Sequence, residues 1–438
     1  MNVFEYLSQI SKKEYLKKNY TLHNIKKALK LLGSPHKEIK NIIHITGTNG
    51  KGSVAIFTSR MLNILGYTTG LFISPHIFDV TERIQYNNKP IEKKIFKKYL
   101  FEIYNTLPSN LFFELTYFEL ISCVMFLFFR EKKPDFVVLE VGLGGKLDAT
   151  NVIEKSVISC ITSISLDHTE VLGNTEFLIL KDKSQIIRPG SIFICGKVKK
   201  RLRDYLKRLC KKINTKFVFC KKSFEKINFN VDRWTTEVRY FIEKNFYKAV
   251  FSVCSLTHPY NFNIALEIIN QLYKAKLIKK PEYKKVFEKI PKVIIPFRMQ
   301  RFKINGCEII VDGAHNPASV DSFVKLIKKL SIKNFVICFT IMKDKDYRKI
   351  IKILSNLKNK IYKFIVYKIN NPRVENLDIL YKNVCKYFNN KKVVKISKPE
   401  NLLKYLKNFC IKKKIFFIGS FYIFSVFKNK IRWKKFLM

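Results

Sequence analysis

The sequence predicts an α/β protein in two parts. An N-terminal phosphate-loop domain is built on a mostly parallel sheet, and a smaller C-terminal Rossmann-like α/β domain follows. Three observations predict this. Short apolar, β-prone runs alternate with amphipathic helical stretches, the pattern of strands covered by helices on both faces. One strand-to-helix junction, Thr46 to Ser53, is a glycine-rich loop. The run Pro291 to Pro296 is bracketed by prolines, which restrict themselves and their predecessors, so it reads as an extended linker.

Helical periodicity covers Val3 to Lys17 and Leu22 to Leu32, and Gly33-Ser34-Pro35 stops the second helix. Asn41 to Ile45 reads as a strand feeding the loop, and an amphipathic helix is expected from Val54 to Leu65. Further strands are expected at Thr69 to Ile73, Phe136 to Val141, Val157 to Thr162 and Ile192 to Cys195. Phe118 to Phe129 is the most apolar stretch; it is too short to cross a bilayer and suits a buried helix. Lys197 to Val250 is lysine-rich and weakly patterned, and reads as a peripheral excursion of strands. A helix from Asn261 to Leu272 closes the first domain. The second begins after the linker, with strands at Cys307 to Val311, Phe335 to Phe339, Ile361 to Tyr367 and Ile415 to Ile418. The domains are placed at residues 1–293 and 297–438.

The formal charge of +49 suggests, taken alone, a non-enzymatic polyanion-binding protein. The lysines, however, run along the whole chain and gather in no single tail or stripe. That distribution fits a drift of surface positions toward lysine, so no specific nucleic-acid partner is expected. The ten cysteines form no C-x-x-C pair and mostly lie in apolar runs, which fits free thiols in a reducing compartment. The first eighteen residues alternate apolar and charged, unlike a signal peptide. A soluble, cytoplasmic, monomeric protein without membrane partners is expected.

Four motifs carry chemistry. In Thr46-Gly47-Thr48-Asn49-Gly50-Lys51-Gly52-Ser53, glycines let backbone N–H groups approach phosphate oxygens, and Lys51 adds a point charge. Ser53 is placed to face a magnesium ion. The loop departs from the strict phosphate-loop pattern, with Ile45 at the first glycine position and Gly52 after the lysine. Glu140 ends an apolar strand just before Gly142-Leu143-Gly144-Gly145, where a carboxylate points into the ligand crevice of a parallel sheet. Asp167-His168 follows another strand, and His168 is a candidate metal ligand. Asp312-Gly313-Ala314-His315-Asn316-Pro317 repeats the strand-to-helix junction in the second domain. There Asp312 suits a ribose or an ammonium, and His315 a phosphate.

Together these motifs resemble the folylpolyglutamate synthase and dihydrofolate synthase family of the Mur ligase superfamily. Ser74-Pro75-His76, Thr81-Glu82-Arg83, Thr116-Tyr117-Phe118-Glu119, Asp344-Lys345-Asp346 and Gly419-Ser420 belong to the same match, which runs from Leu31 to Tyr422. The resemblance implies a P-loop ATPase domain followed by a glutamate-ligase domain, using ATP and two Mg2+ ions. Thr48, Asn49, Gly50, Lys51, Gly52 and Ser53 would hold the ATP phosphates. Asn261, Arg298, Asp312 and His315 would contact ATP from both sides of a cleft. Ser74, Glu140 and His168 would bind magnesium. Thr116, Tyr117, Phe118, Glu119, Leu147, Asp148 and Ala149 look like the pterin-binding segments. Lys183 matches a lysine that is carbamylated in the family and helps the second metal. Its neighbours differ: Asp182-Lys183-Ser184-Gln185 stands where Glu-Lys-Ala-Gly is usual. The implied reaction joins L-glutamate to dihydropteroate and to reduced folates, as in the bacterial bifunctional type. A monofunctional folylpolyglutamate synthase is the alternative.

Overall fold

The structure is a computed structural model and describes residues 3–11, 21–304, 306–409, 413–420 and 422. The chain gathers into two compact units. The first comprises residues 1–165, 172–222 and 261–290. The second comprises residues 166–171, 223–260 and 291–438.

The first unit holds β1 (Ile42–Thr46), β2 (Thr69–Phe72), β3 (Ile84–Tyr86), β4 (Lys89–Pro90), β5 (Phe136–Glu140), β6 (Ile158–Ser163), β7 (Ile192–Lys197) and β8 (Lys216–Phe219). They form one sheet in the order β4-β3-β2-β5-β1-β6-β7-β8. From β2 to β8 every pairing is parallel, and β3 and β4 add an antiparallel edge. The chain leaves β1 toward one side of the sheet and later returns to the other. The carboxyl end of β1 is therefore the switch point, where open α/β sheets bind ligands. β1 is buried along its length, which fits its isoleucine-rich character, with His44 and Thr46 as the polar residues buried in it.

The apolar stretch after Thr116 forms the helix Tyr117–Lys132. Thr116 and Glu119 cap it reciprocally, and Lys133 ends it in the left-handed conformation. Its Phe126, Leu127, Phe128 and Phe129 lie in a core shared with the helix His23–Leu31 and the inner face of β5. The helix after the phosphate loop is Lys51–Ile64, starting earlier than expected because Gly50 takes φ +91° and turns the chain directly into it. The first helix is described over Val3–Ser11, and the rest of its expected span lies outside the described residues.

Lys197 to Val250 is only in part the excursion of strands that its composition suggests. It opens with the helix Lys200–Lys212, whose buried Leu202, Leu206 and Cys210 recur every four residues beneath a dense basic surface. Its later part forms an antiparallel sheet in the second unit, β9 (Asn228–Asn230), β10 (Thr235–Ile242) and β11 (Asn245–Phe251). Trp234 anchors it: the fully buried indole donates to Met299 O at 2.7 Å and joins the core of that unit. The proline-bracketed run also differs from a simple extended linker, since Ile290–Lys292 forms a 3-10 turn.

The second unit's main sheet is β12 (Gln300–Ile304), β13 (Cys307–Val311), β14 (Phe335–Phe339), β15 (Ile361–Tyr367), β16 (Val393–Ile396) and β17 (Ile415–Ile418). The order is β12-β13-β17-β14-β15-β16, parallel except for the β12–β13 hairpin. Among the described cysteines, Cys123, Cys160, Cys195, Cys210, Cys220, Cys254, Cys338 and Cys385 are free thiols. Cys307 is disulfide-bonded, contrary to expectation; a pairing outside a short motif leaves no local signature. Cys410 lies outside the described residues. No described helix is long and apolar enough to cross a membrane.

Candidate active site

The phosphate loop hangs from the end of β1 and is strapped to β6. Thr48 N donates to Ser163 O at 2.8 Å, and Thr48 Oγ1 donates to Ser165 O at 3.0 Å. The hydroxyls of Thr162 and Ser163 both donate to Asn49 O. These bonds hold the loop open as a backbone cradle. Lys51 Nζ folds over it, donating to Gly47 O at 3.0 Å and Thr48 O at 3.3 Å. An ammonium on the loop's own carbonyls is placed to turn toward a phosphate. Gly50 has no room for a side chain, since a Cβ there would stand 2.6 Å from Asn261 Oδ1. Thr48, Asn49, Gly50, Lys51, Gly52, Ser53 and Asn261 thus occupy one corner of the first unit.

Glu140 reaches the same corner. Its carboxylate accepts from Ser74 N at 2.8 Å, and a Cβ on Gly52 would stand 3.1 Å and 3.3 Å from its two oxygens. A buried carboxylate beside a serine, a helix start and a phosphate loop offers hard oxygen donors of the kind magnesium prefers. Ser74 and Glu140 therefore fit a magnesium ion. His168 lies in the second unit, and among the described residues no group of three or more His, Cys, Asp or Glu side chains forms a ready metal cluster.

Behind Glu140, the glycine loop packs on the lysine singled out by sequence. A Cβ on Gly145 would come within 2.8 Å of Lys183 Cα and 2.9 Å of Asp182 O. Lys183 ends the helix Glu176–Lys183 and is 4% exposed. Asp148 braces the loop, accepting from Leu143 N at 2.9 Å and Thr150 N at 3.0 Å. Burial raises its carboxyl above the usual range, and those hydrogen bonds oppose the shift.

The expected pterin segments divide by role. Glu119 is 2% exposed and caps the helix, accepting from Thr116 N and Thr116 Oγ1 at 2.8 Å. Phe118 packs 5.5 Å from Phe72 and fills the space above Gly142, while the buried Tyr117 ring lies 5.3 Å from the Arg83 guanidinium. Ala149 is buried, whereas Leu147 is an exposed apolar side chain beside the glycine loop.

The second unit has its own polar cluster. Asp312 accepts from Ala314 N at 2.8 Å and Met299 N at 3.0 Å. Burial raises its carboxyl, and Arg298 pulls it back. Asp167 accepts from Lys345 Nζ at 2.9 Å and Asn316 Nδ2 at 2.8 Å, with His315 Nε2 at 3.8 Å. Burial would raise the Asp167 carboxyl, but Lys345, His315 and His168 hold it well below the usual carboxylate range. Burial and Lys345 lower His315 to about 4, so it is a neutral imidazole whose Nδ1 lies 2.7 Å from Gly313 O. His168, Arg298, Asp312 and His315 are thus gathered in this unit. Lys345 and Asn316 were not among the expected site residues. Lys345 lies in the Asp344-Lys345-Asp346 motif, and nothing local to that motif reveals its partner 178 residues away.

A phosphate loop at the switch point of a parallel sheet, followed by a second α/β sheet, is the architecture of Mur-type ligases. The model for the Mur ligase middle domain matches residues 45–268, and that for the Mur ligase glutamate ligase domain matches residues 297–421. The dihydrofolate synthase/folylpolyglutamate synthase of Buchnera aphidicola (from Schizaphis graminum) is 30% identical over 97% of this chain and 95% of its own. The dihydrofolate synthetase of Saccharomyces cerevisiae is 32% identical over 70% of this chain and 72% of its own. Mycobacterium tuberculosis folylpolyglutamate synthase, solved with ADP, shares the fold with a TM-score of 0.85 at 21% identity, over 98% of this chain and all of that one. The chain belongs to the dihydrofolate synthase/folylpolyglutamate synthase family of Mur ligases.

Proposed function

We propose that this chain joins L-glutamate to dihydropteroate and to reduced folates with conversion of ATP to ADP. The observation that carries the reading is the convergence of the Thr48–Ser53 loop, Glu140 and Ser74 at the switch point of the first sheet. The likeness to the Buchnera bifunctional enzyme along nearly the whole chain supports both activities.

A carboxylate is a poor acyl donor because oxide is a poor leaving group. In the proposed route, a carboxylate oxygen of the acceptor bonds to the γ-phosphorus of ATP and ADP leaves, giving an acyl phosphate. The glutamate amine then bonds to the acyl carbon, phosphate leaves, and the nitrogen loses a proton. Backbone N–H groups of the loop and Lys51 hold the phosphates and offset their charge. Asn261, Arg298, Asp312 and His315 serve as further ATP contacts. ATP and a divalent metal ion serve the reaction. Two Mg2+ ions are our finer proposal, with Ser74, Glu140 and His168 as ligands; the metal would screen the meeting anions. Lys183 supports the second ion as a carbamate, a form that converts a buried cation into an anionic ligand. Thr116 to Glu119 and Leu147 to Ala149 frame the pterin. Residues 1–293, apart from residues 166–171 and 223–260, which belong to the second compact unit, provide the ATP-binding domain and residues 297–438 the glutamate-ligase domain of a cytoplasmic monomer, with no nucleic-acid or membrane partner.

The test is ADP release with ATP, Mg2+ and glutamate, comparing dihydropteroate with a reduced folate. Turnover with both supports the bifunctional reading. Turnover with the reduced folate alone reduces it to a folylpolyglutamate synthase, and turnover with neither overturns it.

A further inference from the structure

We infer that Lys345 is a positioning residue for His168: it holds the Nε2 lone pair of the imidazole and must withdraw before that nitrogen can bind a metal ion. Lys345 Nζ lies 3.1 Å from His168 Nε2 and 2.9 Å from Asp167 Oδ1. An ammonium has three donors and no acceptor, so Nε2 is the acceptor in this pair. A neutral imidazole has one donor and one acceptor nitrogen, which places its proton on Nδ1. A metal ion at Nε2 uses the same lone pair, so the ammonium and the metal exclude each other there.

The seat of the ammonium is built from several directions. The side chains of Lys345 and Asp167 are each 9% exposed. Asp167 is fixed independently by Asn316 Nδ2 at 2.8 Å. Asp344 Oδ2 faces Lys345 from its own chain segment at 3.5 Å, and Arg373 stands 3.8 Å from the other oxygen of Asp344. His168 itself takes φ +49°, a conformation a non-glycine residue adopts only when its surroundings hold it. The cluster therefore presents an oxygen and a nitrogen donor to a cation, and Lys345 supplies that cation from within the chain. The displacement rests on the proposed role of His168 as a metal ligand; the fixed tautomer rests on geometry alone.

The tautomer is read by 15N NMR of the full chain labelled at histidine, without nucleotide or metal. His168 should carry its proton on Nδ1, and Lys345→Met should shift it toward Nε2. An unchanged tautomer overturns the positioning role. Mn2+ binding to the same preparations, followed by electron paramagnetic resonance, should be about tenfold tighter in Lys345→Met, since the competing donor is gone. Equal or weaker binding overturns the displacement. If Lys345→Met fails to fold, Lys345→Ala removes the cation and the donor without adding bulk, and the same outcomes decide. His168→Ala separates the two readings. If it leaves Mn2+ binding unchanged in both backgrounds, the ligand role of His168 falls and the displacement with it, while the NMR result still judges Lys345.

Discussion

A Cβ on Gly52 would stand 3.1 Å from Glu140 Oε2, so the first turn of the helix after the phosphate loop is bare where a strand-end carboxylate meets it. The glycine that departs from the usual phosphate-loop pattern thus makes room for Glu140. Gly52→Ala should keep the fold, because the carboxylate is able to shift by a few tenths of an ångström. It should lower ADP release by at least ~10-fold by displacing that oxygen from its working position. Matching melting curves with normal turnover would refute this coupling.

Lys51→Ala should abolish ligation without unfolding the chain, since the ammonium donates to carbonyls of its own loop, Gly47 O and Thr48 O, and the loop is strapped to β6 by other residues. ADP release and circular dichroism check the two halves of that expectation. Near-normal ligation would remove Lys51 from the phosphate site.

Gly145→Ala meets backbone rather than a movable side chain. Its Cβ would lie 2.8 Å from Lys183 Cα, so the glycine loop or the end of the helix Glu176–Lys183 must move. A stability loss of about 1–3 kcal/mol is expected, as for other overpacked sites. Urea unfolding measures it, and activity should fall with it because Lys183 is carried on that helix end.

The two pterin segments should respond differently. Glu119→Ala removes one arm of the capping box of the helix Tyr117–Lys132 and should cost about 1 kcal/mol of stability. Leu147→Ala removes an exposed apolar surface beside the glycine loop. It should raise KM for the pterin-bearing acceptor while leaving KM for ATP and the unfolding midpoint unchanged. Steady-state kinetics with each substrate varied in turn would show whether the split occurs.

Acid should destabilise the protein through two buried histidines. Burial, with Arg188, lowers His44 to about 3; burial, with Arg298, lowers His258 to about 3. Both are neutral in the fold, whereas the unfolded chain takes up a proton at each near 6.5. Their contribution is complete above pH 6.5 and is lost as pH falls from 6.5 toward 3. The loss is up to ~1.4 kcal/mol per pH unit for each. Urea unfolding at pH 7, 6 and 5 should show this slope. His44→Gln should flatten it by about one proton's share, and an unchanged slope would mean His44 does not titrate on unfolding.

The strand-loop-helix of residues 42–64, the apolar helix after Thr116 and the parallel strands were legible because burial and helical or strand periods are written locally. The helix Lys200–Lys212 was missed although Leu202, Tyr205, Leu206, Leu209 and Cys210 fall at helical spacing, because the lysines and arginines between them were read as the mark of a weakly patterned segment. Glu119 was read as a pterin contact; its Thr-x-x-Glu spacing is also that of a capping box, and the fold adds that second role, with Thr116 and Glu119 capping the helix reciprocally.

The sequence by itself determined the phosphate loop, the strand ending at Glu140 and the two-sheet α/β class, because each depends on residues within a few positions of one another. The tertiary structure decided the rest. It set the Glu140 carboxylate against Gly52, packed Lys183 under Gly145, buried Trp234 among the C-terminal strands, and put Lys345 on His168. Those pairs are 88, 38, 65 or more, and 177 residues apart in the chain, separations at which no local spacing rule operates. They form because sheets and their covering helices bury apolar surface, and polar groups caught in that burial must then find partners wherever the fold brings them.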